Sequence, residues 1–206
     1  SETPFLSSGI GGILHIASSY SRRFDEVILQ LPKGRALKGI NVSANRGQTS
    51  ITNASLENAT LNTNSYILRI KGSRIKNSKL TTPNIVNIFD TDLTDSQLES
   101  TEHHFHAENI QVHGKVELVA KTDLQLLLSE EEKQRINLDL STKHGSILHF
   151  VREGRRSFNN KENRDEHLSN PYKTEKADVK DQLIARADQY IYLLKAEEHE
   201  SSSRNR

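Results

Sequence analysis

Residues 51–100 read ITNASLENATLNTNSYILRIKGSRIKNSKLTTPNIVNIFDTDLTDSQLES, and this stretch decides the fold. Apolar residues recur about every five positions, and mainly Asn, Ser, Thr, Lys and Asp lie between them. A helix would place its apolar residues three or four positions apart. The spacing therefore predicts very short strands separated by bends. The apolar positions are Ile51, Leu56, Leu61, Tyr66, Ile70, Ile75, Leu80, Ile85, Ile88, Leu93 and Leu98.

The apolar pattern starts three times, at Ile51, Ile70 and Ile88, so the second start follows the first by nineteen positions and the third follows the second by eighteen. A unit of this length is typical of one coil of a β-solenoid, in which stacked coils bury their apolar positions in a common interior. The sequence thus predicts a mainly β fold, a β-solenoid of stacked short strands with an 18–19-residue coil. We expect the three isoleucines to stack in one interior column, because they begin successive coils.

A second, longer similarity links the middle of the chain to its C-terminal part. Residues 118–123 (LVAKTD) match residues 183–188 (LIARAD) at a constant offset of sixty-five positions. The match favours strands in the C-terminal part. Residues 179–194 also fit an apolar stripe of a helix, so the helical alternative stays open at this stage.

Composition suits a thin, elongated fold. Hydrophobic residues make up 33% of the 206 residues and charged residues 27%, which is lean for a compact globule. A solenoid tolerates this because each coil buries only a narrow seam. Lys and Arg number 28 against 27 Asp and Glu, without a basic stripe. Binding to nucleic acid through phosphate neutralisation is therefore not expected.

Cysteine and methionine are both absent. The lack of Cys excludes thiolate zinc sites and thiol nucleophiles, and it is typical of an exported bacterial protein that does not rely on disulfides. The lack of Met predicts a mature or soluble portion of a longer protein. No run of about 20 apolar residues occurs. We therefore expect contact with a membrane only through a segment outside this chain.

Changes in charge and periodicity divide the chain. We expect an N-terminal entry segment at 1–19, a β-solenoid at 20–151, a charged exposed insertion at 152–181, closing strands at 182–196 and a disordered tail at 197–206. The insertion is dense in charge of both signs and holds few apolar residues. Such a segment cannot bury much surface.

Three stretches resemble a known family: 24–34 (FDEVILQLPKG), 37–42 (LKGINV) and 45–51 (NRGQTSI). They are similar to the adhesin β-strand-repeat family of bacterial, mainly Gram-positive, cell-envelope proteins. The resemblance covers about residues 20–150, and the closing strands more weakly. It implies a solenoid-like fold and an extracytoplasmic location, in the cell envelope or on the cell surface, with a membrane anchor in the full-length protein. The family has no established catalytic residues.

Histidines form the densest group of candidate metal ligands. Alternation along a strand would place His104 and His106 on one face, as a zinc or copper pair requires, with Glu102 or Glu108 as a third ligand. The alternative is a polar outer face or a loop. No fixed-spacing motif supports a metal, so we predict none. The four histidines are His103, His104, His106 and His113.

Carboxylates cluster at Asp90, Asp92, Asp95 and Glu99. The three aspartates could offer oxygens to calcium, but the central Gly of an EF-hand loop is missing. All four could line the groove of a solenoid polysaccharide lyase or hydrolase. No pair is singled out by residue type or spacing, so we interpret the aspartates as solvated bends.

Two further motifs carry little weight. Residues 9–12 (GIGG) resemble a phosphate-binding loop but lack the Lys-Ser/Thr ending, so a flexible entry is the simpler interpretation. Asn53-Ala54-Ser55 and Asn58-Ala59-Thr60 match the N-glycosylation pattern. In an Asn- and Thr-rich repeat this match arises by coincidence.

The sequence therefore predicts a domain with no catalytic, cofactor or metal site. Its expected function is a non-catalytic, adhesin-like surface for contact with a protein or glycan at the cell surface. One alternative is the exported sensing or regulatory arm of an envelope-stress response. The other is a carbohydrate-active solenoid enzyme, which an acidic groove would favour.

Overall fold

A computed structural model of the chain describes the backbone of residues 5–8, 13–17, 39–43, 48–152, 165–168 and 172–196. Side chains are described for residues 48–148 and 173–194. The described residues are mainly β, as expected, with one short helix. No helix among them is long and apolar enough to cross a membrane.

Most strands are short, between two and seven residues, and only β10 and β12 are longer. The elements in chain order are β1 (Phe5–Ser8), β2 (Ile13–Ala17), β3 (Gly39–Ser43), β4 (Gln48–Thr52), β5 (Ser55–Glu57), β6 (Thr60–Thr63), β7 (Ile67–Lys71), β8 (Arg74–Lys76), β9 (Lys79–Thr82), β10 (Ile85–Thr94), β11 (Gln97–Ser100), β12 (Phe105–His113), β13 (Lys115–Ala120), β14 (Asp123–Leu127), α1 (Glu130–Arg135), β15 (Asn137–Thr142), β16 (Ser146–Arg152), β17 (Asp165–Leu168), β18 (Tyr172–Lys173), β19 (Gln182–Ala187) and β20 (Tyr190–Ala196).

The strands form two sheets, and the chain alternates between them. The first sheet has the order β1-β2-β3-β6-β9-β11-β13-β19-β15-β18. The second has the order β17-β16-β20-β14-β12-β10-β7-β4, and β5 and β8 extend it as a side row against β10. Pairing is parallel except where β1, β17 and β18 pair antiparallel with β2, β16 and β15. Parallel pairing between neighbouring strands therefore builds most of both sheets.

The predicted interior column is confirmed. Ile51 lies beside Ile70, and Ile70 lies beside Ile88, in neighbouring parallel strands of the second sheet. Ile70 and Ile88 are fully buried, and Ile51 is partly buried against the same core. A matching column in the first sheet contains Leu61, Leu80, Leu98 and Leu118. Because side chains alternate between the two faces of a strand, each strand sends every second residue into this interior.

Corners of the chain form two further columns, with backbone φ between +45° and +65°. Most lie between strands, and two lie inside the long strands β10 and β12. Asn, Asp and Gly tolerate this left-handed conformation better than other residues. In both columns the steps between successive members are nineteen, eighteen and nineteen positions, so the corners keep the same repeat as the strands. The first column is Asn53, Gly72, Asp90 and Asn109, and the second is Asn58, Asn77, Asp95 and Gly114.

Buried hydroxyl groups satisfy the backbone at these corners. The Ser78 hydroxyl donates to the carbonyl of Lys76 at 2.8 Å and accepts from the backbone N–H of Ala59 at 3.1 Å. Ser96 donates to the carbonyl of Thr94 at 2.8 Å and accepts from the backbone N–H of Ser78 at 3.1 Å. Buried backbone groups require such partners, which explains why Ser or Thr follows four of the eight corner residues.

The C-terminal strands do not close the stack, and the expected order is corrected here. Strand β19 lies between β13 and β15, and β20 lies between β14 and β16. Both are strands, so the helical alternative for 179–194 is wrong. Val116 pairs with Leu183, whereas the sequence match aligns Leu118 with Leu183. The structural register is therefore shifted by two positions from the sequence match, a shift that keeps each side chain on the same face.

Two other expectations about chain organisation, the entry segment and the charged insertion, meet a more specific arrangement. The entry segment contributes β1 and β2, which extend the first sheet beyond β3. The charged insertion contributes β17 and β18, which lie on the edge strands β16 and β15. Residues 153–164, 169–171 and the tail at 197–206 lie outside the described residues.

Helix α1 interrupts the strand repeat and was not expected. The Ser129 hydroxyl accepts the backbone N–H of Glu132 at 3.1 Å, the interaction of a helix N-cap. At the other end the Lys176 ammonium donates to the carbonyls of Lys133 and Ile136, each at 2.9 Å. A cation at this end complements the helix dipole. The residue pattern Ser-x-x-Glu at 129–132 is the sequence signal that could have predicted this helix.

Replacing Ile70 by Asp should destabilise the fold strongly, because the carboxylate would enter the interior column without a partner. We expect the free energy of unfolding to fall by at least about 3 kcal/mol. Urea unfolding followed by circular dichroism measures the change. Lys71→Asp is the matched control, because Lys71 is the exposed neighbour, and it should cost less than about 0.5 kcal/mol. Equal stability of the two variants would contradict the register.

Candidate functional site

The outer surface of the second sheet carries several aromatic and hydrogen-bonding side chains that contact one another. Its central row runs across four strands in register, from Asn87 through His106 and Gln125 to Tyr192. These residues face outward because their neighbours along each strand are buried in the interior. We call this surface the histidine face. It consists of Arg69, Asn87, Phe89, His104, His106, Glu108, Asp123, Gln125, Tyr190 and Tyr192.

His106 lies at the centre of the histidine face and contacts three neighbours. Its Nδ1 lies 2.7 Å from Gln125 Oε1, and its Nε2 lies 3.0 Å from Glu108 Oε2. Its ring centroid is 5.5 Å from that of Phe89. The Arg69 guanidinium lies 5.5 Å from the Phe89 centroid, within the range of a cation–π contact. Strands β7, β10, β12 and β14 thus hold these groups in one fixed arrangement.

A second group of polar residues lies where β12, β14 and β20 begin. The backbone N–H of Tyr190 donates to Asp123 Oδ1 at 3.1 Å. Burial raises the pKa of Asp123. Burial, followed by the neighbouring His103, lowers the pKa of His104. Each shift follows from the cost of holding a charge in a partly desolvated place.

Tyr190 is the most exposed aromatic residue of this face. Its exposed fraction is 38%, and its ring centroid lies 6.0 Å from that of Tyr192. The other large exposed hydrophobic residue of the described part is Tyr66, at 62%, which lies outside the face in the turn before β7. An aromatic ring that one side leaves open to solvent offers a flat contact surface for a ligand.

The four histidines are not brought together. His104 and His106 lie on the same face of the chain, as alternation predicted, but His113 lies at the far end of β12. Glu102 lies in the exposed turn before β12, and Glu108 is the neighbour of His106. In the part of the chain that the structure describes, no three His, Asp or Glu side chains are grouped closely enough to hold a metal ion.

The four carboxylates do not form one cluster, because they lie at different positions of the repeat. Asp90 and Asp95 occupy two separate corners, with positive φ, and are bend residues. Asp92 lies within β10, not at a bend, and its carboxylate is 3.8 Å from the Arg74 guanidinium. Asp90 accepts from the Asn109 amide at 2.8 Å, and Asp95 from the backbone N–H of Lys115 at 3.0 Å. Glu99 belongs to β11 of the other sheet.

The remaining sequence candidates carry no further chemistry. Asn58 Oδ1 accepts from the Asn77 amide at 2.7 Å, and Asn53 lies over Gly72, so both possible glycosylation positions are corner residues. A shallow polar groove of about 410 Å³ follows the second corner column. Residues 9–12 lie outside the described residues.

A network of charges joins α1 to the C-terminal strands. Asp181 accepts the backbone N–H of Gly114 at 2.8 Å and a hydrogen bond from Arg135 Nη1 at 2.5 Å. Arg135 Nε donates to Glu132 Oε1 at 2.9 Å, and Glu132 Oε2 accepts the backbone N–H of Val112 at 3.2 Å. We call these three side chains the Asp181 network. It fixes the residue that precedes β19.

The fold and the histidine face together define a β-strand-repeat domain with a patterned outer surface. A family model described as Toastrack DUF4097 matches residues 1–193, so the chain belongs to this family. The family is one of β-strand repeats, as the resemblance implied, and its function is unknown. The match does not carry the adhesin name. The comparisons with curated proteins and with solved structures found no match.

Sequence reasoning identified the histidines of the face but missed their partners. Arg69, Phe89 and Gln125 have no motif of their own. Phe89 and Gln125 contact His106, and Arg69 contacts Phe89, only through the pairing of parallel strands. The signal was nevertheless present, because Gln125 follows His106 by nineteen positions, the length of the repeat.

The Asp181 network should make stability depend on pH. The hydrogen bond from Gly114 and then the charge of Arg135 lower the pKa of Asp181. The Asp181 carboxyl therefore binds a proton more readily in the unfolded chain than in the folded chain. Its stabilisation of the fold is complete above the ordinary pKa of Asp and is lost as pH falls through the lowered pKa of the folded state. Asp181→Asn should cost about 1 kcal/mol at about pH 6 and very little at about pH 2.

Urea midpoints of the wild type and the variant across this pH range measure the effect. Asp178→Asn is the matched control, since Asp178 is exposed and lies in the same segment. A constant difference between Asp181→Asn and the wild type at all pH values would contradict the assigned role.

Proposed function

We propose that this chain is a non-catalytic domain of the bacterial cell envelope whose histidine face binds a protein or glycan at the cell surface. In this proposal the stacked strands form a β-solenoid with an 18–19-residue coil. The solenoid serves as a rigid support that presents the face outside the cytoplasm. The lack of Cys and the family resemblance support this location.

The observation that carries the proposal is the row of side chains across β10, β12, β14 and β20, with Arg69 of β7 beside its first ring. It combines aromatic rings at both ends with His, Gln and Glu hydrogen-bonding groups between them. Interfaces favour this composition, because aromatic residues supply contact area and polar residues fix orientation. The row lies on parallel strands about 4.8 Å apart, so three strand spacings from Phe89 to Tyr192 span about 14 Å.

The separation of the carboxylates supports a non-catalytic role. Acid–base catalysis needs two carboxylates in contrasting environments around one substrate. Asp90, Asp92 and Asp95 lie on three different parts of a repeat, and each has its own hydrogen-bond or ionic partner. This arrangement favours surface contact over hydrolysis.

Removing the exposed ring of the face should weaken binding. We expect Tyr190→Ala to reduce binding to isolated Gram-positive cell walls by about tenfold, which corresponds to about 1.4 kcal/mol. Tyr66→Ala is the matched control, because Tyr66 is an exposed aromatic residue outside the face. Sedimentation with the walls, before and after protease treatment of the walls, separates a glycan target from a protein target. The proposal is overturned if the wild type binds neither the untreated nor the protease-treated walls, or if the two variants bind equally well.

A further inference from the structure

The C-terminal strand pair, β19 and β20, fills a gap that the rest of the chain leaves open. In the first sheet the gap lies between β13 and β15, and in the second it lies between β14 and β16. We call these two spaces the slot. All four bordering strands come from the continuous stretch 115–152. The binding surface for the strand pair is therefore complete before residue 153.

The strand pair contacts the slot on both of its edges. Every residue of β19 from Gln182 to Ala187 pairs with β13 on one side and with β15 on the other. Strand β20 pairs with β14 and β16 in the same way. Leu183, Ala185 and Ile191 are fully buried in the core. An unfilled slot would expose four strand edges, and unpaired edges bind any suitable strand that reaches them.

The strand pair is similar in sequence to the strands that border the slot. Residues 183–188 resemble residues 118–123, and β19 lies directly against β13, which carries half of that earlier copy. The slot thus binds a strand pair much like β13 and β14, which border it. The contacts are made by the residues of the paired strands alone.

The link between slot and strand pair is long. Residues 153–181 separate the end of β16 from the start of β19. Insertion within one chain and insertion into a second copy would make the same strand contacts. Residues 172–181 also contact the elements beside the slot, through β18 on β15 and through Asp181 on Gly114, so they accompany the strand pair. The two states then differ mainly in the link before β18 and in the entropy of association, and lengthening a link changes the entropy only slowly. Exchange of an identical element between copies is a low-cost route to a dimer.

We propose that the C-terminal strand pair also inserts into the slot of a second copy of this chain, so that two chains exchange strands and form a dimer. The partner is chemically defined, since it must offer the edges of β13, β14, β15 and β16 in this register. The exchanged dimer increases with chain concentration, because association is bimolecular.

Two single-cysteine full-length chains test the exchange, since the natural chain contains no Cys. Lys115 and Gln182 are paired neighbours across the slot, and neither is buried. A mixture of Lys115→Cys and Gln182→Cys chains is concentrated, held just below its melting temperature, diluted and treated with a short bismaleimide. We expect a covalent dimer that joins one chain of each kind and increases with the concentration used.

Two controls make each outcome decisive. The double variant Lys115→Cys/Gln182→Cys should cross-link within one chain, because the two positions are paired. A mixture of Gln97→Cys and Glu117→Cys chains should give no mixed dimer, because β11 and β13 are paired outside the slot. The proposal is overturned if the double variant does not cross-link or if the test mixture gives no mixed dimer. It is also overturned if the control mixture gives as much mixed dimer as the test mixture.

Discussion

Parallel pairing at an offset of eighteen or nineteen positions, from β4 to β14 in the second sheet, is the constraint on which the rest of this structure depends. Once Ile70 lies between Ile51 and Ile88, alternation decides which side chains enter the interior and which form the outer faces. The same offset places corner residues over one another. A Cβ at Gly114 would overlap the Asp95 carboxylate, so glycine lets Asp95 keep its position there and also tolerates the positive φ.

Corner chemistry supplies hydrogen-bond partners for backbone groups that turn towards the interior. At four of the eight corners a buried hydroxyl lies one residue later, and at Ser78 and Ser96 it donates to one backbone carbonyl and accepts one backbone N–H. The outer faces are then free to vary. The histidine face is the result on the second sheet, where register alone brings His106 between Gln125 and Phe89.

Local repeats could be predicted from the sequence, whereas the order of the last strands could not. The interior column at Ile51, Ile70 and Ile88 follows from the spacing of neighbouring coils within one continuous stretch. The position of β19 depends on pairing with β13, far earlier in the chain, and no periodic signal specifies which gap it enters. The pattern at 129–132 would have predicted α1, but the strand repeat on both sides obscured it. For the site, alternation along the strand predicted that His104 and His106 lie on one face. Their partners on neighbouring strands could not be predicted without knowing the register of the strands.

Strand order within the two sheets is the central claim, because the interior, the histidine face and the slot all follow from it. Native-state amide hydrogen exchange, resolved by residue, tests it most directly. We predict that the amides of β19 and β20 are as strongly protected as those of β13 and β14, because each strand is paired on both edges. Rapid exchange throughout 182–196, with β15 and β16 still protected, would show that the C-terminal strands lie at an edge and would contradict this account.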